Sequence, residues 1–142
     1  MQLGGSEVNQ MKDLVKVKRG KKNRKAGSAF EGKVRADLEK RGFIVIKNPN
    51  TVVENKFTQG KNKYNPFTKR FMAFGGFPDF VVYRPLRLTR VVGVECKLGK
   101  YLDREEKEKC SWLLDNHVFD KIFVATKGKD KKVDYIKFYA GI

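Results

Sequence analysis

Asp79, Glu95 and Lys97 are charged residues in stretches where charge is costly. Asp79 stands near the start of the apolar run FPDFVVY (77–83), and Glu95 and Lys97 interrupt RVVGVECKL (90–98). Both runs are short and rich in Val, the signature of strands. Alternate residues of a strand face opposite sides. Val92, Val94, Cys96 and Leu98 therefore share one face, all apolar, while Val91, Gly93, Glu95 and Lys97 share the other. In the preceding run Asp79, Val81 and Tyr83 lie on one face. Antiparallel pairing of the two strands brings Asp79 close to Glu95, and Gly93 is expected to leave open space beside them.

Two neighbouring carboxylates repel, and each raises the other's pKa. A divalent cation between them removes that penalty. Hard oxygen ligands suit Mg2+, which is held by one or two carboxylates, water and substrate phosphate. A metal so bound lowers the pKa of its water and neutralises charge developing on a phosphate. A lysine on the same face, two residues on, is placed to hold or deprotonate the attacking water. The alternative is an amphipathic strand with a solvated ion pair on its outer face. Acidic-x-Lys triplets also occur at Glu31–Lys33, Glu54–Lys56, Glu105–Lys107 and Asp130–Lys132, but only Glu95–Lys97 is embedded in an apolar strand. Pro-Asp occurs once, at 78–79, where the preceding strand begins.

The elements that must position these residues follow from periodicity. In SAFEGKVRADLEKRGF, Phe30, Val34 and Leu38 recur every four residues, which predicts an amphipathic helix over 28–41. Ser28 and Glu31 have capping-box spacing at its start, and Gly42 suits its stop. FIVIK (43–47) reads as a strand. Residues 48–72 mix Asn, Pro, Gly, Lys and aromatics without a period and read as a long basic loop, with room for a short hairpin. A second helix spans 103–117, with Asp103 and Glu106 as its capping box and Cys110, Leu113, Leu114 and His117 on one stripe. Strands follow at 121–126 and 132–140. The order α-β-β-β-α-β-β describes an α/β domain with a mixed central β-sheet flanked by helices.

The chain has 142 residues, with 32 Lys plus Arg against 16 Asp plus Glu, a formal charge of +16. That excess calls for a polyanionic partner. Residues 1–27 are expected to be a flexible basic arm, and 28–142 the folded domain. Lys21, Lys22, Arg24 and Lys25 in the arm, and Lys61, Lys63, Lys69 and Arg70 in the 48–72 loop, are candidates for nucleic-acid contact. Tyr64, Phe67, Phe71 and Phe74 are interleaved with the latter, a mixture suited to stacking on exposed bases, or else to tucking the loop onto the core. No apolar run approaches a membrane span, and no apolar signal core is present, so an intracellular setting is expected. Cys96 and Cys110 provide neither a disulfide framework nor a zinc site. His117 reads as a helix-end residue, and Trp112 as core or an interface anchor.

Pro78-Asp79 followed by Glu95-Cys96-Lys97 resembles the signature of the PD-(D/E)XK nuclease superfamily. GSAFEGKVRADLEKRGFIVI looks like the first helix and strand of archaeal-type Holliday junction resolvases, and VECKLGKYLDREEKEKCSWLL with KIFVAT looks like their catalytic strand, following helix and next strand. The resemblance covers about 27–127, excluding the loop. It implies a restriction-endonuclease-like fold and hydrolysis of DNA phosphodiester bonds with Mg2+, or Mn2+ in its place. It implies that Asp79, Glu95 and the backbone carbonyl of Cys96 hold the metal and that Lys97 is the catalytic lysine. Glu31 matches an additional acidic residue, and Thr51 or Thr58 a loop hydroxyl. The partners implied are branched DNA and a second copy of the chain, with an intracellular, nucleoid-associated location. Nuclease action on flaps, single strands or ends, or non-catalytic binding of nucleic acid, are the alternatives.

Overall fold

The computed structural model describes residues 5–60, 62–73 and 76–140; the side chains of 5–21, 62, 63, 65, 71–73 and 87–89 are outside that description. The chain divides into two compact units, Met1–Lys33 and Val34–Ile142. The elements in chain order are α1 (Gly5–Lys40), β1 (Ile44–Lys47), β2 (Asn50–Val53), β3 (Lys56–Gln59), β4 (Asn62–Asn65), β5 (Arg70–Ala73), β6 (Phe80–Arg84), β7 (Arg87–Cys96), α2 (Arg104–Asp115), β8 (Lys121–Lys127) and β9 (Val133–Lys137).

Helix α1 is 36 residues long, so it begins well before residue 28. Residues 5–27 lack proline and are rich in Lys and Arg, good helix formers, and propensity rather than an apolar stripe sets this segment. Ser28 is consequently interior to the helix, and the expected N-cap and capping box at Ser28–Glu31 are absent. The other end stops as expected. Gly42 takes φ +91°, and the N–H groups of Gly42 and Phe43 donate to Glu39 O (3.0 Å) and Leu38 O (3.1 Å), a glycine-terminated C-cap.

The 48–72 stretch is two hairpins instead of a loop: β2 pairs with β3 and β4 with β5, both antiparallel. Glu54 and Asn55 form the first turn at φ 48° and 59°. That left-handed pair matches a two-residue turn, but Glu-Asn carries a weaker signal than Asn-Gly, so the sequence pattern did not announce it. With both hairpins set aside, the remaining order is α-β-β-β-α-β-β, the expected α/β arrangement.

The central sheet runs β1-β6-β7-β8-β9, parallel only between β7 and β8, where α2 makes the crossover. Register places Val45, Val82 and Val92 in one row, and Phe80, Val94 and Phe123 in the next, on the same face. Val34 and Leu38 of α1 are buried, and α1 is tied to the sheet by Arg35 Nη2 donating to Val45 O (3.2 Å) and Tyr135 Oη donating to Asp37 Oδ2 (2.6 Å). The other face carries Val81, Gly93, Ile122, Glu95 and Val124. There Cys110 and Leu113 of α2 pack with Phe77, Leu102, Phe119, Ile122 and Val124. Full burial of a side chain such as Leu113 or Ile122 contributes about 1.5–3 kcal/mol. Hairpin β2–β3 joins this core through Val52 and Phe57, the latter edge-on to Phe119 at 5.8 Å between centroids.

Gly93 does not leave open space. A Cβ there would lie 2.6 Å from Pro78 Cγ and 3.3 Å from the Phe119 ring, so the missing side chain is what lets Pro78 seat against β7. Gly93→Ala is expected to cost about 1–3 kcal/mol in urea unfolding, through overpacking. Gly99→Ala, whose Cβ meets nothing within 4 Å, should stay within about 0.5 kcal/mol of wild type.

Candidate active site

The segment leading into β6 is held by one buried side chain. Asn48 Nδ2 donates to Pro78 O (2.7 Å) and Asn50 O (2.9 Å), its Oδ1 accepts from Asn50 N (3.0 Å), and its own N–H donates to Asp79 O (3.0 Å). Gly76 passes so close to this turn that a Cβ would sit 2.2 Å from Asn48 O. The Phe77–Pro78 peptide is cis. Asp79 emerges with its Oδ2 accepting the Cys96 N–H at 2.8 Å. Its carboxyl also lies within hydrogen-bonding reach of that of Glu95, its neighbour across the antiparallel pairing.

Glu95 is only 5% exposed. Burial raises its pKa far above the carboxylate range, and the hydrogen bond to Asp79 and the charges of Asp79 and Glu106 push the same way; Lys97 opposes them and loses. Glu95 therefore carries its proton at neutral pH, against the Asp79 carboxyl. This is where a hard cation fits: it would replace that proton and meet two carboxylates, with water and substrate phosphate as further oxygen donors. Among the described residues no group of three His, Cys, Asp or Glu side chains forms a metal cage.

Lys97 lies on the same face, its Nζ 2.5 Å from Glu106 Oε2. Burial by itself would lower the lysine pKa; the hydrogen bond and charge of Glu106, with Glu95 and Asp103, outweigh it and raise the value. Lys97 thus stays an ammonium, able to donate hydrogen bonds into the cleft. Glu106 was legible only as a capping residue. Its Oε1 does accept the Asp103 N–H (3.1 Å) while Asp103 Oδ1 accepts the Glu106 N–H (2.8 Å), but the second oxygen reaches Lys97. One turn on, Lys109 Nζ donates to Thr51 Oγ1 at 3.1 Å and lies 3.7 Å from Glu105 Oε1. Nothing in the local pattern marks Lys109 or Asn48; both act through contacts distant in sequence.

Thr51, Asp79, Glu95, Lys97, Glu106 and Lys109 border one open cleft of about 460 Å³. Thr58, exposed, does not line it. Glu31 is half-buried on α1 within the unit Met1–Lys33. Lys22, Arg24 and Lys25 are exposed on α1, and Lys69 and Arg70 are exposed at the β4–β5 turn. Lys61 lies outside the described residues, as do the side chains of Lys21 and Lys63, Phe71, and the whole of Phe74. Tyr64 and Phe67 are 52% and 95% exposed, so these two do not tuck onto the core. His117 is exposed just past the end of α2 at φ 57°, Trp112 packs against the α2 core, and burial pushes the Cys110 thiol up to about 12, keeping it inert. No described helix is long and apolar enough to cross a membrane.

No protein-family model matches the chain, and no curated protein matches it. Among solved structures, Archaeoglobus fulgidus Hjc, a Holliday junction resolvase from an archaeal hyperthermophile, aligns with 20% identity over 78% of this chain and 76% of that one, at a TM-score of 0.48.

The raised pKa of Glu95 gives the metal-free protein a pH-dependent stability of defined sign. Unfolded, Glu95 ionises near 4.5; folded, it stays protonated well above that. Its contribution is complete below 4.5 and declines as pH rises through neutrality, because only the unfolded chain gains by ionising. Glu95→Gln removes this dependence. In EDTA, the variant's melting temperature relative to wild type should rise between about pH 5.5 and pH 8.5. Parallel curves would contradict the assignment.

Proposed function

We propose that the chain is a divalent-cation-dependent endonuclease that hydrolyses phosphodiester bonds in DNA at branched structures such as Holliday junctions, acting as an intracellular, nucleoid-associated homodimer. The observation that carries this reading is the contact of the Asp79 carboxyl with the buried one of Glu95, at a cleft flanked by the charged Lys97, in a chain of net charge +16. Asp79, Glu95 and the Cys96 carbonyl would hold Mg2+ or Mn2+. The bound cation would supply a water of lowered pKa and counter-charge for the scissile phosphate. Lys97, fixed by Glu106, donates to the attacking water or to a phosphate oxygen and offsets the charge of the pentavalent phosphate. Asp79 keeps its carboxylate aimed by the Cys96 N–H. Lys109, reaching from α2 to Thr51, adds a cation at the cleft wall for the neighbouring phosphate.

Glu31 belongs to this proposal as an additional carboxylate. Its competing explanation, a cap on the first helical turn, does not apply to a residue deep inside α1. Exposed Lys22, Arg24 and Lys25 would track the backbone, with affinity that falls as salt rises. Tyr64 and Phe67, beside Lys69 and Arg70, suit stacking on unpaired bases, which branch points and single strands both expose.

Cleavage of an end-labelled four-way junction, compared with duplex and single-stranded DNA, tests the reading. Wild type should cut the junction in Mg2+ or Mn2+ and not in EDTA, and Asp79→Asn should reduce cutting by roughly a thousandfold or more. Glu31→Gln should also reduce cutting; near wild-type cleavage would remove it from the site. Glu106→Gln should slow cutting about 10- to 100-fold, the usual effect of losing a residue that orients a functional group, while junction binding is retained. Equal cutting of all three DNAs would leave a nuclease without junction preference. Metal-independent binding with no cleavage would leave a binding module.

A further inference from the structure

A second cavity in the unit Val34–Ile142, of about 550 Å³, opens on the sheet face opposite the paired carboxyls. Its floor is aliphatic, formed by Leu38, Val82, Val92 and Val94. Its rim is basic: Arg41, Arg84, Arg90 and Lys121, with no acidic residue in the lining. Arg41 is paired with Asp37 at 2.9 Å, whereas Arg90 and Lys121 form no ion pair among the described residues. Arg41 and Arg84 are engaged within the fold, by Asp37 and by the Tyr135 and Phe43 rings, which leaves Arg90 and Lys121 beside the apolar hollow as the cations placed for a ligand.

The chemistry of the walls selects that ligand. A nucleotide would need aromatic faces to stack on and polar groups to read its edges. Four aromatic residues line the cavity, Phe43, Tyr83, Phe123 and Tyr135, and the guanidinium groups of Arg84 (4.5 Å) and Arg41 (5.3 Å) already lie over the first and the last. The Tyr135 hydroxyl is committed to Asp37, and the aliphatic floor has no donor or acceptor. An apolar side chain fills such a floor, and carboxylates match the Arg forks in bidentate fashion. We infer that this cavity docks a short acidic segment of a partner protein through one apolar anchor, with Arg90 and Lys121 gripping the flanking carboxylates. The site is independent of the proposed cleavage chemistry: it lies across the sheet from the cleft, so DNA and the partner can be held together.

The probe is a fluorescein-labelled decapeptide of Asp and Glu carrying a central Leu–Phe pair, titrated with the full chain at about 150 mM salt, where exposed charges are screened beyond about 8 Å. Saturable one-to-one binding is expected. It should weaken about tenfold or more, 1.4 kcal/mol, when Leu–Phe becomes Ser–Ser, and likewise with Arg90→Ala plus Lys121→Ala. Lys129→Ala plus Lys132→Ala removes the same charge from exposed positions outside the cavity and should leave binding unchanged. Thermal melting confirms that each variant is folded. Equal binding of the Ser–Ser peptide, or equal weakening by both double variants, would mean diffuse attraction to a basic protein and would overturn the inference. Displacement of the peptide by adenosine monophosphate at similar concentration would assign the cavity to nucleotides and would overturn it as well.

Discussion

Two carboxyl groups forced into contact inside a protein cannot both ionise. Glu95 is almost fully buried, and its nearest titratable neighbour is another acid. Burying Glu95 carries a desolvation cost that an apolar side chain there would not incur. What such a pair favours is a compensating positive charge, which the proton on Glu95 supplies here. The rest of the domain can be understood as the apparatus that keeps these groups together.

That apparatus is mostly backbone. The β6–β7 register brings Asp79 opposite Glu95, and the Cys96 N–H then orients the Asp79 carboxylate. Pro78 reaches its place because Gly93 has no side chain, and Asn48 anchors both Pro78 and Asp79 through their carbonyls. The parallel crossover from β7 through α2 returns Glu106 to Lys97, so that the helix cap and the lysine clamp are one residue. Asp79 immediately precedes β6 and Lys97 immediately follows β7, so both are placed by the ends of rigid strands, which favours precise placement of reacting groups.

Much of this was legible in the sequence. The alternation in RVVGVECKL put Val92 and Val94 on one face of β7 and Gly93 and Glu95 on the other, as the register has them, and the single Pro-Asp located the partner acid. The α2 cap was readable from Asp103 and Glu106 because a capping box is a local pattern. Three features were not legible, each for a physical reason. Helix α1 extends to Gly5 on propensity, with no apolar stripe to reveal it. The hairpins at 50–73 use four-residue strands and a Glu-Asn turn, whose period is too short to stand out. The second role of Glu106, and the placement of Asn48 and Lys109, depend on contacts between elements far apart in the chain. Gly93 was noticed but misread, since only the structure shows that Pro78 occupies the space.

The central claim is that the Asp79–Glu95 pair exchanges its proton for a metal ion. Calorimetric titration of the protein with Mn2+ near pH 7, in buffers of different ionisation enthalpy, counts the protons released. The account predicts one bound metal and about one proton released in wild type, with neither in Glu95→Gln. Metal uptake with no proton release, or uptake undiminished in that variant, would contradict it.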